Sequence, residues 1–274
     1  MKLTYYGTAA GEGWPGLFCN CSLCKTAREL KGKNIRTRSQ ALVNDDLLID
    51  LPPDTNMHCL VYGLNLERVD HLLVTHSHSD HFNPADLELL REPFAHNRPN
   101  TFHIYGNSKV KEKLWNEVLD ADMAESKFCF YDAKPFCPIR VKDYTVMPLL
   151  ALHDRREECL FYQISQSGKT ILYAHDTGAF PEPTIEYLKA NKTHFDLVSL
   201  DCTTQSEEDG KNHMGLIDAA KEKHRLIELG LGDNTTKWIV NHFSHNGLWL
   251  FDKMAEEADK YGFLVSFDGM VVEF

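Results

Sequence analysis

The stretch Thr75-His76-Ser77-His78-Ser79-Asp80-His81 places three histidines and an aspartate within seven residues. Imidazole suits zinc, manganese or iron, and a carboxylate adds hardness and charge. Side chains two apart in an extended segment point the same way, so His76 and His78 can converge on one metal. Asp80 and His81 follow as the chain bends and can face a second metal beside the first. The competing reading is a polar turn with surface histidines, which the clustering of so scarce a residue disfavours. Three other apolar runs end in the same way: "MPLLALHD" at His153, "KTILYAHDTG" at His175-Asp176-Thr177, and "KWIVNHFSH" at His242. A lone histidine at a strand end is usually a satisfied polar residue. Four such ends argue for a common rim, because rigid strands fix the loops that carry sites.

His76-x-His78-x-Asp80-His81, followed in order by His153, Asp176 and His242, resembles the metallo-β-lactamase fold superfamily. The resemblance implies a four-layer αββα sandwich with two divalent metals, zinc or manganese, at one edge of the facing sheets. His76, His78 and His153 would hold the first metal, and Asp80, His81 and His242 the second. Asp176 would bridge them together with a hydroxide, the implied nucleophile. The β-lactamases proper carry a cysteine where this chain has Asp176, whereas a bridging aspartate fits the branches that cleave phosphate esters. Further features narrow the likeness: "LFCNCSLCKTAREL", "RTRSQALV", "LDCTTQSEEDGKNHMGL", "NHFSHNG" and the C-terminal "SFDGMVVEF". Together they resemble the phosphoribosyl cyclic phosphodiesterases of the carbon–phosphorus lyase pathway. Residues 82–150 match that pattern poorly, and such a segment shapes substrate selection.

The resemblance implies that His213 reaches the scissile phosphate, where imidazolium can stabilise charge or protonate a departing alkoxide. Read without it, His213 is a solvent-facing residue at a helix start. Catalysis is accordingly assigned to His213, Asp80 and Asp176, with Asn212 a further phosphate contact. Arg155 and Arg156 are expected to be a solvated charge pair beside Glu157-Glu158. His58, His71, His96, His103, His194 and His224 show no converging partners and read as structural.

Cys19, Cys21 and Cys24 form Cys-x-Cys-x-x-Cys, and three thiolates with one more ligand make a closed tetrahedral zinc site. The spacing does not name the fourth ligand; the resemblance points to His245. The rival is a Cys21/Cys24 redox pair opening a helix, which leaves Cys19 without a role. Cys59, Cys129, Cys137, Cys159 and Cys202 are expected to be core thiols.

These side chains need a scaffold, and the chain has material for one: 274 residues, 43% hydrophobic. A formal net charge of −11 disfavours a surface that grips long nucleic acid, though it leaves room for a local basic pocket. The N-terminal "MKLTYYGTAAGEG" lacks a signal-like apolar region and no run is long enough to span a membrane, so a cytoplasmic protein is expected. Strands are expected at "KLTYY", in a hairpin "SQALVNDDLLID" turning near Asn44-Asp45, and at 69–75 and "TFHIYG". More are expected near 127–131, 144–150, 159–165 and 169–174, then at "FDLVSLD", "TKWIVNH" and the C-terminus. Helices are expected at "NPADLELLRE", with Asn83 as cap and Pro84 in the first turn, and at "NSKVKEKLWNEVLD". Others fall near 182–191, over 214–230 and at "LWLFDKMAEEADKY". Hairpin strands mixed with flanking helices suggest a layered sandwich over residues 1–274 as one domain. The expected function is a metal-dependent hydrolase of small, including cyclic, phosphodiesters, with homodimer formation left open. The alternatives are an RNA nuclease, thioesterase or lactonase of the same fold, or a non-catalytic metal-stabilised accessory protein.

Overall fold

The structure, a computed structural model, describes residues 1–98, 100–118, 127–208 and 210–274. Two seven-stranded sheets face each other. The first runs, in spatial order, β14 (Met270–Glu273), β1 (Lys2–Gly7), β2 (Gln40–Val43), β3 (Leu47–Ile49), β4 (His71–Leu73), β5 (Phe102–Gly106) and β6 (Phe128–Asp132). The second runs β13 (Leu264–Val265), β12 (Lys237–Asn241), β11 (Leu197–Asp201), β10 (Lys169–Ala174), β9 (Leu160–Gln166), β8 (Tyr144–Leu150) and β7 (Ile139–Val141). Strands β3 to β6 are mutually parallel, and so are β10 to β13.

Strand alternation builds three apolar layers and hence four structural ones. Along β10, Ile171 and Tyr173 face the other sheet and join Tyr5, Ile49, Leu73 and Tyr162 between the sheets. Leu172 and Ala174 point the opposite way, among side chains of α4 (Glu182–Asn191), α5 (Leu216–Glu228) and α6 (Phe251–Asp259). Helix α1 (Ser22–Leu30) contributes Cys24 and Ala27 to that same layer. On the other side, Leu48, Leu72 and Ile104 pack against Val110 and Leu114 of α3 (Ser108–Glu117). The αββα arrangement is the one expected.

Helix α5 shows why the periodic segments were readable. Leu216, Ala219 and Leu226 lie on one buried face, and Gly230 stops the helix with a φ of 73°, a left-handed conformation that suits glycine. Other expectations need correction. "NPADLELLRE" forms a 3₁₀ helix over Pro84–Leu90, and Asn83 donates to Asp86 instead of capping it. The strand expected over 69–75 is ordered as a ladder only over His71–Leu73. Helix α2 (Thr55–Tyr62) was not anticipated, because its apolar residues lack a clear helical stripe and leave Leu60 and Val61 exposed. The end of "NSKVKEKLWNEVLD" lies outside the described residues. Of the five isolated cysteines only Cys159 and Cys202 are core thiols; Cys129 and Cys137 are exposed and Cys59 is half-buried. Among the described residues no helix is long and apolar enough to cross a membrane.

Candidate metal centre and active site

One edge of the sandwich gathers the C-terminal ends of strands from both sheets. His76, His78, Asp80 and His81 follow β4, His153 follows β8, Asp176 follows β10 and His242 follows β12. Three residues of this rim, Asp50, Asp176 and His242, have positive φ values of 65°, 51° and 68°. Such non-glycine conformations cost about 1–3 kcal/mol each and collect where surrounding structure over-determines them.

The imidazoles converge. His76, His78 and His153 have ligand-capable atoms within 4.8 Å of one another, and so do His76, His81 and Asp176, and Asp80, His81 and His242. Asp176 Oδ2 lies 2.6 Å from His81 Nε2 and 3.0 Å from His242 Nε2, and its Oδ1 lies 3.6 Å from His153 Nε2. The seven residues predicted from sequence therefore sit together, with Asp176 at the centre.

A second set of residues, which the sequence reading missed, fixes which nitrogen of each ring faces inward. His81 Nδ1 donates to buried Asp50 at 2.7 Å. Asp50 also accepts from the Thr75 N–H and hydroxyl, and Thr75 Oγ1 accepts from His76 Nδ1 at 3.0 Å. His242 Nδ1 donates to Thr203 Oγ1 at 2.8 Å, and that hydroxyl donates to Asp201. His78 Nε2 donates to Asp154 at 3.0 Å, leaving Nδ1 to face His153 Nε2 at 3.3 Å. His153 Nδ1 donates to the Asn212 carbonyl at 3.2 Å. Each ring thus spends one N–H on an outer partner, the arrangement by which metal-binding histidines are oriented. The signal for Asp50 and Asp201 was available: "LLID" and "LVSLD" are also apolar runs ending in an acid.

The inward atoms meet one another instead of outer partners. His76 Nε2 is buried with no hydrogen bond among the described residues, and buried His81 Nε2 and His242 Nε2 both crowd on the single oxygen Asp176 Oδ2. Buried polar groups are otherwise almost always satisfied. Electrostatics agrees. Burial alone would push the His81 imidazole down, yet Asp176, Asp80 and Asp50 hold its proton well above the usual histidine range. Burial and the neighbouring His81 push His76 well below that range. Buried carboxylates that retain a proton on one imidazole mark a place that demands positive charge. The donor set of imidazole nitrogen and carboxylate oxygen fits zinc or manganese.

His213 lies beside this cluster. Its Nδ1 is 3.2 Å from Thr203 Oγ1, 3.4 Å from Asp201 Oδ2 and 3.7 Å from Asp176 Oδ1. It also belongs to a group with Asp176, Asp201 and His242 that is close enough to hold a metal, so its geometry suits a ligand as well as an acid. Asn212 meets His153 through its carbonyl. Arg156 is exposed as expected, but its partner is Asp154 at 2.6 Å, while Glu157 turns inward to accept from Ser77. The remaining histidines have local partners: His58 bonds Thr37 and Gln40, His71 stacks on His103, and His96, His194 and His224 pair with Glu92, Asp233 and Glu228.

Cys19, Cys21, Cys24 and His245 form a separate group of the same kind. His245 Nδ1 lies 3.9 Å from Cys19 Sγ and 3.8 Å from Cys21 Sγ. Cys21 caps α1 and accepts from the Cys24 N–H, which lowers its thiol to about 6, whereas burial raises Cys24 to about 12. A low first thiol at a helix start also suits a redox pair. The convergence of Cys19 and His245 on the same point favours the tetrahedral metal site. Gly16 permits it: a Cβ there would sit 3.1 Å from the Cys19 Cβ and 3.4 Å from His245 Nε2.

Several solved structures share this architecture. A diphosphatase from the PhnP family superposes with a TM-score of 0.77 at 20% identity, covering 100% of this chain and 96% of that one. Zn(2+)-bound PqqB from Methylobacterium extorquens gives 0.72 at 19% identity, covering 100% of both chains. The short form of human tRNase Z gives 0.64 at 16% identity, covering 100% and 99%. A curated octanoyltransferase from Porphyromonas gingivalis (strain ATCC BAA-308 / W83) is 27% identical over 166 residues, 57% of this chain but only 31% of that protein's length. Residues 47–229, well over half of the chain, match the family described as the beta-lactamase superfamily domain, and the chain belongs to that family and has the metallo-β-lactamase fold.

Proposed function

We propose that this protein is a binuclear metallohydrolase of small phosphodiesters, cyclic ones included. The observation that carries the reading is the convergence of buried imidazole nitrogens on Asp176, with His76 Nε2 left without a hydrogen bond among the described residues. In this reading His76, His78 and His153 would hold one metal and Asp80, His81 and His242 a second, with Asp176 within reach of both groups. Cys19, Cys21, Cys24 and His245 hold a structural zinc. Two divalent cations supply, when bound, Lewis acidity toward phosphoryl oxygens and a water whose pKa falls to about 7.

The chain's own residues do the rest. Asp50, Asp154 and Asp201 keep the rings aimed, so that none has to reorient when substrate arrives. His213, steadied by Asp201 and Thr203 at Nδ1, delivers a proton from Nε2 to the departing alkoxide. Asp176 in place of cysteine supports a phosphate ester over a β-lactam. Two proteins of the same fold are named as a diphosphatase and a tRNase, which supports a phosphorus-centred reaction. The net charge of −11 argues for a small substrate over a long RNA.

The test is metal analysis of the purified protein followed by a screen of cyclic and linear phosphodiesters, RNA, thioesters and lactones. The expected result is two metals at the rim, zinc at the cysteines, and turnover confined to phosphodiesters. Asp176→Ala is expected to lose rim metal and turnover while keeping its fold. Full turnover by a metal-depleted Asp176→Ala protein would overturn the reading.

A further inference from the structure

Ser77, between His76 and His78, is gripped by residues that are not themselves members of the metal cluster. Glu157 accepts from the Ser77 N–H at 3.1 Å and from its hydroxyl at 2.7 Å. Asn107, which caps α3 by accepting from the N–H groups of Lys109 and Val110, donates to Glu157 at 2.9 Å. Farther along α3, Lys113 donates its Nζ to the Ser77 carbonyl at 3.0 Å. An ammonium carries three protons, and among the described residues Ser77 takes one of those of Lys113. Neighbouring cations are spent elsewhere: Arg156 is clamped on Asp154, and Lys109 on Glu112. Burial disfavours the Lys113 charge, and Glu117, Asp80 and Glu157 support it, Asp80 being a member of the metal cluster. A half-buried cation beside a metal-binding loop is well placed to meet an anion there. It would offset the repulsion that a chain of net charge −11 exerts on an anionic substrate.

We propose that Lys113 is a specificity-determining residue that binds an anionic oxygen of the substrate phosphate with the protons it does not give to Ser77. This rests on the phosphodiester reading above. The rival role is a purely structural tether for the His76–His78 turn.

Lys113→Met and Lys113→Arg separate the two. Each is assayed for metal content and for kcat and KM on an anionic nitrophenyl phosphodiester and a neutral nitrophenyl ester. Acetylation of Lys113 in the wild-type holoenzyme is followed by mass spectrometry with and without inorganic phosphate. In Lys113→Met the ratio of kcat/KM for diester over neutral ester should fall about tenfold to a hundredfold, the scale of one charge-assisted hydrogen bond. The fall should be carried by KM, with metal content retained. Lys113→Arg should restore most of it, and phosphate should slow acetylation of Lys113. Equal losses on both esters, or loss of metal from Lys113→Met, would show a tether and overturn the proposal. If the wild-type protein cleaves no phosphodiester, the functional reading fails on its own. The phosphate experiment then decides this inference: slowed acetylation sustains the anion site, and unslowed acetylation overturns it.

Discussion

Replacing Asp201 with asparagine exchanges one buried carboxylate oxygen for an NH2 group. Oδ1 accepts from the N–H groups of Thr203 and Met214, at 3.0 and 2.9 Å, so the amide oxygen of Asn belongs there. The NH2 group then sits where Oδ2 accepted from the Asp176 N–H at 3.0 Å and the Thr203 hydroxyl at 3.1 Å. The hydroxyl can rotate away; the backbone N–H of Asp176 cannot. Flipping the amide strands two backbone donors instead of one. Burial pushes the Asp201 carboxyl up, but His213 and His242 win and hold it below the usual range, so neutralising it brings no relief. One stranded buried donor costs about 1–3 kcal/mol, and losing charge assistance on the remaining bonds adds to it, for a total of about 3 kcal/mol. The assay is urea unfolding of metal-free protein, where the loss should appear as a lower midpoint at unchanged slope. The acceptor behind Thr203 and His242 also goes, so metal affinity should fall about tenfold to a hundredfold. An unchanged midpoint together with wild-type metal affinity would refute the reasoning.

His213→Ala should lower turnover of an alkyl or ribosyl cyclic diester by about a hundredfold or more, and that of a nitrophenyl diester much less, because the activated group leaves without a proton. Equal losses with metal retained would make His213 a phosphate binder, and loss of metal would make it a ligand. Cys21→Ser should lose one zinc and some stability in thermal unfolding, yet keep part of its turnover; a Cys21–Cys24 disulfide in fresh zinc-free protein would point to redox chemistry instead. Asp268 is buried beside Thr8, Thr37 and Arg36, and burial raises its carboxyl to about 6 from an ordinary 3.8. The folded state therefore holds this proton more tightly than the unfolded chain. The stability it contributes is present below about pH 4 and is lost as pH rises through about 6, in all about 3 kcal/mol by linkage. The difference in unfolding free energy between wild type and Asp268→Asn should fall by that amount from pH 4 to pH 7, and a difference that stays level would contradict the assignment.

The sequence exposed the rim because His76, His153, Asp176 and His242 each follow a run of strand-forming apolar residues, so their position in the fold follows from their position in the chain, and His78, Asp80 and His81 sit in the loop that His76 opens. The same signal stood at Asp50 and Asp201 but went unused, since an aspartate after a strand is common and its partners, Thr75 and Thr203, carry no motif. Glu157 and Lys113 were hidden for a different reason. Glu157 reaches Ser77 from a loop 80 residues away and Lys113 from helix α3, 36 residues away, and no local pattern records such a meeting. The layered architecture was readable from alternation in strands such as β10. Helix α2 was not, because its residues bury too narrow a stripe to show a period. The 3₁₀ form of Pro84–Leu90 depends on packing that propensity does not report.

The left-handed backbone at Asp50, Asp176 and His242 makes the rim behave like a latch and not like a spring. Between the left-handed region and the ordinary one lies sterically closed ground, so these residues cannot drift by small steps to accommodate a neighbour. A nearby substitution either leaves all three in place, with the rings still aimed at one point, or releases a residue altogether and swings its side chain out of the cluster. Damage to this rim should therefore be graded in the number of intact molecules rather than in the quality of each one. A weakened variant would be a mixture of fully competent and incompetent proteins, with an unaltered KM and a reduced fraction that turns over.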